Sequence, residues 1–461
     1  MRRAAVALAV SALLLGGCTG EGPDDGRTPV VIDTDMGQDD MMALLYLLQR
    51  PDVRVEAITV SGTGLAHCDP GVEIALSLLD VAGARQDLPV SCGPEEPLPG
   101  DYPFPGAFPT SWRVATDDAY GIDLPDTDRE PSPTPAPGLL RTAIRDAHAP
   151  VELLALGPLT NVALALRDDP GLVEELAGIT IMGGALDVPG NVIRNEVAEF
   201  NVWVDPVAAR EVIASGASVT LVPLDATNRA PVTPFFADAL AGHHTTPEAE
   251  IVQSLFEAQP FLLSGAYYFW DPLSAAILVE PDLATFEHRT VAVLEGEKET
   301  QGQVVEDPGG GAIRIATDPD AAAFEREFLN TLNADEHISD TRPDPVARIE
   351  IADARCTYEG PTELPADLVA VELENTTSET WTVVLASIAE GHTYEEFIAW
   401  LGTYEPTGQP PPWVGATAFS EGAPGPSQLV PWELEPGTYG LVCVRRGAER
   451  DLRAITEIVA G

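Results

Sequence analysis

Four aspartates fall within eight residues near the start of the chain, in Asp33-Thr34-Asp35-Met36-Gly37-Gln38-Asp39-Asp40. Carboxylates this close repel one another, which raises the free energy of keeping them all ionised. A hard divalent cation removes that penalty, and an all-oxygen donor set suits calcium or magnesium. A cation so held lowers the pKa of bound water, and a neighbouring carboxylate can accept its proton. The segment therefore has the makings of a hydrolytic metal centre. Helix capping by Asp39 or Asp40 is the plainer use of such residues. It occupies one of the four and leaves the others without a reason.

The surrounding elements are suited to positioning this cluster. Val30–Asp33 reads as a short buried strand, Gly37 as a turn and Asp40–Gln49 as a helix stopped by Pro51. Ligand sites in open α/β sheets lie beyond the carboxyl ends of strands, which is where the cluster falls. The alternation continues with a strand at Val53–Val60 and a helix at Gly71–Ala82. Apolar strands follow at Val151–Leu156, Ile179–Met182 and Val219–Leu224, with helices at Thr160–Arg167 and Pro206–Ser215. Continuous apolar strands alternating with helices predict an α/β fold, a mostly parallel, Rossmann-like sheet with helices on both faces. Glu248–Tyr268 reads as one helix ending near a Trp270-Asp271-Pro272 turn, and Ile313–Ala316 and Ala321–Leu332 as a last strand and closing helix. Eleven prolines between Pro94 and Pro137 mark a long surface excursion beside the site.

Three further segments bear on the chemistry: Leu156-Gly157-Pro158-Leu159-Thr160-Asn161; Met182-Gly183-Gly184 with Ala198-Glu199-Phe200-Asn201 and Val204-Asp205-Pro206; and Phe269-Trp270-Asp271-Pro272-Leu273. With the acidic turn they run in order over Val30 to Leu332, and the set resembles the inosine–uridine nucleoside hydrolase family, whose N-terminal signature is an Asp-x-Asp-x-Gly-x-Asp-Asp turn. The resemblance implies hydrolysis of the N-glycosidic bond of ribonucleosides with Ca2+ as cofactor. By position, Asp35, Asp40 and Asp271 correspond to the calcium ligands, completed by the Leu156 carbonyl. Asp35 also matches the catalytic carboxylate that takes a proton from the attacking water, Asp39 matches a residue holding the ribose hydroxyls, and Asp33 supports the turn. Glu199 and Asn201 match sugar-binding residues, with Asn191 or, alternatively, Asn195 as a further one. The chemistry agrees, since cleavage of an N-riboside passes through an oxocarbenium-like sugar that surrounding carboxylates stabilise.

The chain also departs from the family pattern. Many members carry a His before the last metal Asp, where it can protonate the leaving base; here that residue is Trp270. This resembles the purine-preferring inosine–adenosine–guanosine branch, in which an aromatic residue stacks on the purine. Trp112, in the proline-rich excursion, is a candidate for the opposite face of such a stack, loop packing being its plainer role. Gly64 stands where the family often has a substrate-touching Asn, and His67 lies close by as a candidate replacement or acid. A lone loop His is more often incidental, and His243-His244 invite the same caution.

Beyond the catalytic stretch, 29–334, the polar segment 335–345 with its two prolines reads as a linker. Ala347–Ala352, Leu368–Glu374, Trp381–Ile388 and Gly440–Val444 alternate like strands, with one helix at Tyr394–Leu401. Residues 346–461 are thus expected to form a small all-β sandwich domain. At the other end, Arg2 and Arg3 precede the apolar run Ala4 to Leu15, too short to span a bilayer. The following Leu15-Gly16-Gly17-Cys18 resembles a bacterial lipobox. That implies a signal peptide over 1–17, lipidation of Cys18, a tether over 18–28, and an exported protein held at the cell membrane by lipid alone. The remaining cysteines, Cys68, Cys92, Cys356 and Cys443, are even in number, as disulfides require. The domain division favours Cys356–Cys443 and, less directly, Cys68–Cys92.

The 461 residues carry 73 Asp+Glu against 25 Lys+Arg, a formal net charge of -48. Such a surface repels nucleic acid and favours a small neutral substrate such as a nucleoside. A homo-oligomer stays open. Two competing functions remain: a nucleoside- or sugar-binding lipoprotein that kept the metal pocket without turnover, and a dehalogenase-type phosphatase, disfavoured by the three downstream segments.

Overall fold

The strand Val30-Val31-Ile32 shows how the sequence builds two layers at once. Alternate side chains leave a strand on opposite faces, and Val30 and Ile32 enter one hydrophobic core while Val31 enters another on the far side. The computed structural model describes residues 26–100, 110–192, 195–263, 267–296, 299–334, 338, 342–353, 355–377, 379, 381–403, 410–422, 425–445 and 452–461. The expected signal peptide, Cys18 and most of the tether lie outside the described residues. Among these residues, no helix is long and apolar enough to cross a membrane.

Nine strands form the main sheet: β1 (Thr28–Thr34), β2 (Val53–Val60), β3 (Val90–Cys92), β4 (Val151–Ala155), β5 (Leu176–Met182), β6 (Val219–Val222), β7 (Ala284–Val293), β8 (Val304–Glu306) and β9 (Gly311–Pro319). Their order is β3-β2-β1-β4-β5-β6-β9-β7-β8. Pairing is parallel from β3 through β9, and antiparallel only where β7 meets β9 and β8. The chain runs outward from β1 to β3 and then returns to β4 on the other side of β1. The end of β1 is thus a topological switch point, where open α/β sheets bind ligands.

The helices are α1 (Gln38–Gln49), α2 (Cys68–Val81), α3 (Thr110–Asp117), α4 (Ala136–Asp146), α5 (Thr160–Asp168), α6 (Phe200–Val204), α7 (Pro206–Ile213), α8 (Leu224–Thr227), α9 (Pro234–Gly242), α10 (Pro247–Ala258), α11 (Trp270–Val279) and α12 (Ala321–Leu332). Helices α1, α2 and α9 to α12 cover one face, and α4, α5 and α7 the other. Three expectations need correction. The single helix over 248–268 is broken: α10 ends at Ala258, and Pro260, with no N–H to donate, starts a separate short turn. Trp270, Asp271 and Pro272 begin a new helix rather than forming a turn after the preceding one. Within the supposed linker, Ile338 is buried in the main core, its N–H donates to Asn330 Oδ1 at 2.8 Å, and Arg342 pairs with the fully buried Glu325 at 2.7 Å. Ile338 and Arg342 are thus fastened to α12.

The C-terminal residues contribute β10 (Ala347–Ala352), β11 (Arg355–Glu359), β12 (Glu363–Leu364), β13 (Leu368–Asn375), β14 (Trp381–Ile388), α13 (Tyr394–Leu401), β15 (Val414–Gly422), β16 (Gly425–Glu433), β17 (Gly437–Arg445) and β18 (Leu452–Ala460). They form a sheet β11-β10-β13-β16 and a sheet β12-β18-β17-β14-β15. One core joins Ile349, Val371 and Trp432 of the first to Trp381, Leu385 and Leu441 of the second. Cys356–Cys443 links β11 to β17, one strand from each sheet, and Cys68–Cys92 links α2 to β3. Closing so long a loop should contribute about 2–5 kcal/mol to the stability of this region. Cys356→Ser should lower its denaturant midpoint accordingly, with the buried Trp381 and Trp432 as fluorescent reporters. An unchanged midpoint would show that the bond carries no load.

Candidate active site

Asp35 sits where β1 has just ended, and the chain must turn at once to enter α1. It does so through Met36, whose φ of 62° is left-handed and strained for a residue with a side chain. The Thr34 hydroxyl fixes this turn, accepting the Met36 N–H at 3.1 Å and donating to Asp40 Oδ1. The Asp35 N–H also donates to Asp40 Oδ1, at 3.0 Å. Asp39 and Asp40 follow in the first turn of α1, where a helix favours negative charge. Asp271 arrives from the first turn of α11, which packs beside α1.

The result is a buried knot of acids. Asp35, Asp39, Asp40 and Asp271 are each at most 8% exposed, and single oxygens of Asp39, Asp40 and Asp271 lie within 4.8 Å of one another. Burial first, and the neighbouring carboxylates second, push Asp35 and Asp271 well above the usual range and Asp39 up to about 7. Burial likewise raises Asp40. Asp271 Oδ1 is buried without a hydrogen-bond partner. Hard oxygen donors, crowded and with one lone oxygen, fit a divalent cation. The cluster as it stands groups Asp39 with Asp40 and Asp271; Asp35 adjoins Asp40 from the loop side.

Asp35 is gripped tightly. Its Oδ2 accepts the Leu65 N–H at 3.2 Å. A β-carbon added at Gly64 would lie 2.2 Å from that oxygen, and one added at Gly157 would lie 2.8 Å from the Asp35 Cβ. This accounts for Gly64: with Asp35 in this position no side chain fits there. Asp33 lies one layer deeper, accepting from Asn161 at 2.8 Å and from Thr59, and burial pushes it up to about 7.

The remaining predicted residues divide into those brought to the cluster and those kept away. Asn201 donates to the Leu156 carbonyl at 2.7 Å, leaving that oxygen a second lone pair for a cation. Glu199 caps α6, its carboxylate accepting from Asn201 N–H, Val202 N–H and Gly184 N–H at 2.9, 3.2 and 3.0 Å. Burial still pushes it up to about 7. Asn191 is exposed and accepts the Phe200 N–H at 2.9 Å, while Asn195 donates to the Gln301 carbonyl at 2.8 Å. Both side chains are therefore taken up by backbone groups, of Phe200 and of Gln301. Trp270 meets the Tyr267 ring edge-on, centroids 4.6 Å apart at 70°, with its indole nitrogen buried and unpartnered. Trp112 is 45% exposed and leans on Phe200, 6.0 Å between centroids. His67 is held by Asp117, and His243 and His244 lie against carbonyls at the end of α9. Sequence reasoning passed over Tyr267, whose hydroxyl donates to Asp39 Oδ1 at 2.9 Å, and Arg113, which donates to the carbonyls of Gly62 and Gly64. Tyr267 stands three residues before Trp270, and only that spacing on an aromatic run hinted at it.

A buried carboxylate site at the switch point of a mostly parallel sheet defines an α/β enzyme that works on a small polar ligand. The family model described as inosine-uridine preferring nucleoside hydrolase matches residues 30–326. A pyrimidine-specific ribonucleoside hydrolase of Enterobacter sp. (strain 638) is 33% identical over 291 residues, 60% of this chain and 88% of its own. Uridine nucleosidase 1 of Arabidopsis thaliana is 33% identical over 278 residues, 59% of this chain and 79% of its own. Among solved structures, the purine-preferring ribonucleoside hydrolase from Gardnerella vaginalis superposes with a TM-score of 0.58 at 26% identity, covering 67% of this chain and 99% of that one. The chain belongs to the inosine-uridine preferring nucleoside hydrolase family. It is an enzyme, a nucleoside N-ribohydrolase.

Proposed function

We propose that this protein is a calcium-dependent, purine-preferring ribonucleoside hydrolase that works outside the cytoplasm, anchored through lipid on Cys18. The observation that carries the reading is the buried cluster of Asp39, Asp40 and Asp271, with the lone oxygen of Asp271 and Asp35 alongside. Asp35, Asp40, Asp271 and the Leu156 carbonyl would hold the ion. When bound, calcium supplies a fixed positive charge that orients the sugar hydroxyls and the attacking water.

The rest is done by the chain. Asp35, buried beside Asp40 and held by the Leu65 N–H, is placed to take a proton from the attacking water. Asp39, steadied by Tyr267, faces its remaining oxygen to a ribose hydroxyl. Glu199 and Asn201 set the wall of the sugar site through their backbone bonds and stabilise the charge that develops on the ring. At residue 270 there is no acid for the leaving base, so the Trp270 face stabilises a base that is gaining charge, which suits a purine. The domain division proposed with this function is a catalytic unit over 29–334 and an accessory β unit over 346–461.

Product analysis of the full chain with inosine and calcium tests the reading. Free hypoxanthine and ribose in equal amounts are expected. Nucleoside returned intact from a panel of purine and pyrimidine ribosides would refute it.

A further inference from the structure

The loop that grips Asp35 is anchored at its base by Ser61 and Thr63, which bond the Pro158 carbonyl and Thr160, and its two glycines are braced by an arginine. Residues 61–67 connect β2 to α2, and the inner edge of this loop lies on Asp35, through Leu65 N–H to Oδ2 at 3.2 Å and Ala66 N–H to the carbonyl at 3.0 Å. Two glycines leave the loop little stiffness of its own. Neither can be replaced in place: a β-carbon at Gly62 would lie 2.9 Å from the Cys68 sulfur, and one at Gly64 would lie 2.2 Å from Asp35 Oδ2. Stiffness must then come from a partner. At the two glycines Arg113 of α3 supplies it, donating from Nη2 to the Gly62 carbonyl at 2.9 Å and from Nε to the Gly64 carbonyl at 3.0 Å. One helical turn on, Asp117 accepts the His67 N–H at 3.0 Å and its carboxylate meets the His67 ring at 2.7 Å.

We propose that Arg113 is a positioning residue for Asp35: its planar fork fixes the Gly62 and Gly64 carbonyls, and through them the carboxylate that takes the proton from water. The inference rests on the role given to Asp35 above. A guanidinium can span two carbonyls at a fixed separation, whereas an ammonium is a point donor. Since Trp112 precedes Arg113 on α3, the same helix would cover the base and brace the proton acceptor.

The test uses the full chain at saturating calcium with inosine. Arg113→Ala should lower kcat by about 10²-fold, the scale on which small misplacements act, while KM changes by less than about threefold. Calcium affinity should fall by much less than kcat, since Asp40, Asp271 and the Leu156 carbonyl still hold the ion. Arg113→Lys should lose about tenfold in kcat, and it keeps the test open if the alanine variant folds poorly. Free guanidinium at low millimolar concentration should restore part of kcat in Arg113→Ala and none in Asp35→Asn. Unchanged kcat in either Arg113 variant, or a fall in kcat matched by an equal fall in calcium affinity, overturns the proposal. An Asp35→Asn variant of full activity would instead overturn the role of Asp35, and this inference with it.

Discussion

Chelated protein is expected to lose nucleoside cleavage altogether, and calcium to restore it. The acids of the site are buried together, and burial and mutual repulsion hold Asp35 and Asp271 well above the usual carboxylate range. Ionising them all without a cation opposes folding, so a bound ion stabilises the native state by mass action, about 2.7 kcal/mol at a hundredfold excess over Kd. The sign with pH follows. A carboxyl whose folded pKa is raised, such as Asp39 at about 7, makes the native state the tighter proton binder. Chelated protein therefore loses stability as pH rises from about 4 to about 7, and regains none above that. The rise in melting temperature on adding calcium should accordingly be larger at about pH 8 than at about pH 5. Asp40→Ala and Asp271→Ala should each weaken calcium binding strongly. Asp39→Ala should act more on KM for the nucleoside. Full activity in metal-free protein would end the calcium hypothesis.

The parts of this arrangement that depend on neighbours in sequence were legible without coordinates. The run Val30–Asp33, the glycine turn and the helix at 40–49 follow from local patterning, and they alone place the acidic turn at the end of a buried strand. Strands β2, β10 and β14 and helices α12 and α13 have the ranges that apolar periodicity predicts. What stayed hidden depends on distant partners or on polar strands. β7 carries Glu287, His288 and Arg289 on a half-exposed edge, so no apolar run marked it, and β3 is only three residues long. Nothing local to Tyr267 announces that its hydroxyl meets Asp39 across the site. Gly64 looked like a lost substrate contact, yet its missing side chain is what lets Asp35 occupy its place. Arg113, within a stretch whose prolines suggested only a surface excursion, proves to be tied to the loop around that carboxylate.

Purine ribonucleosides are expected to be cleaved with clearly higher kcat/KM than uridine or cytidine, and Trp270 is the residue on which this turns. Names among the relatives divide on the matter, a pyrimidine-specific enzyme at 33% identity and a purine-preferring one at 26%. The preference of this chain must therefore follow from its own side chains. Trp270 directly precedes Asp271 on α11, and its indole is set edge-to-face against Tyr267, which in turn holds Asp39. The aromatic face is thus fixed relative to Asp39, the carboxylate proposed to hold the sugar. Attraction between such a face and a base gaining positive charge amounts to about 0.5–2 kcal/mol, more when water is excluded. A pyrimidine offers less ring area and a poorly basic nitrogen, and gains little from it. Trp270→Ala should therefore depress kcat for inosine by about 10-fold or more, with calcium affinity nearly unchanged. Trp270→His, which places an imidazole at the same point of the helix, should recover some uridine cleavage. A wild-type preference for uridine, or unchanged inosine turnover in Trp270→Ala, would place leaving-group activation elsewhere. His67, paired with Asp117 at 2.7 Å at the end of the loop around Asp35, would then be the first residue to replace.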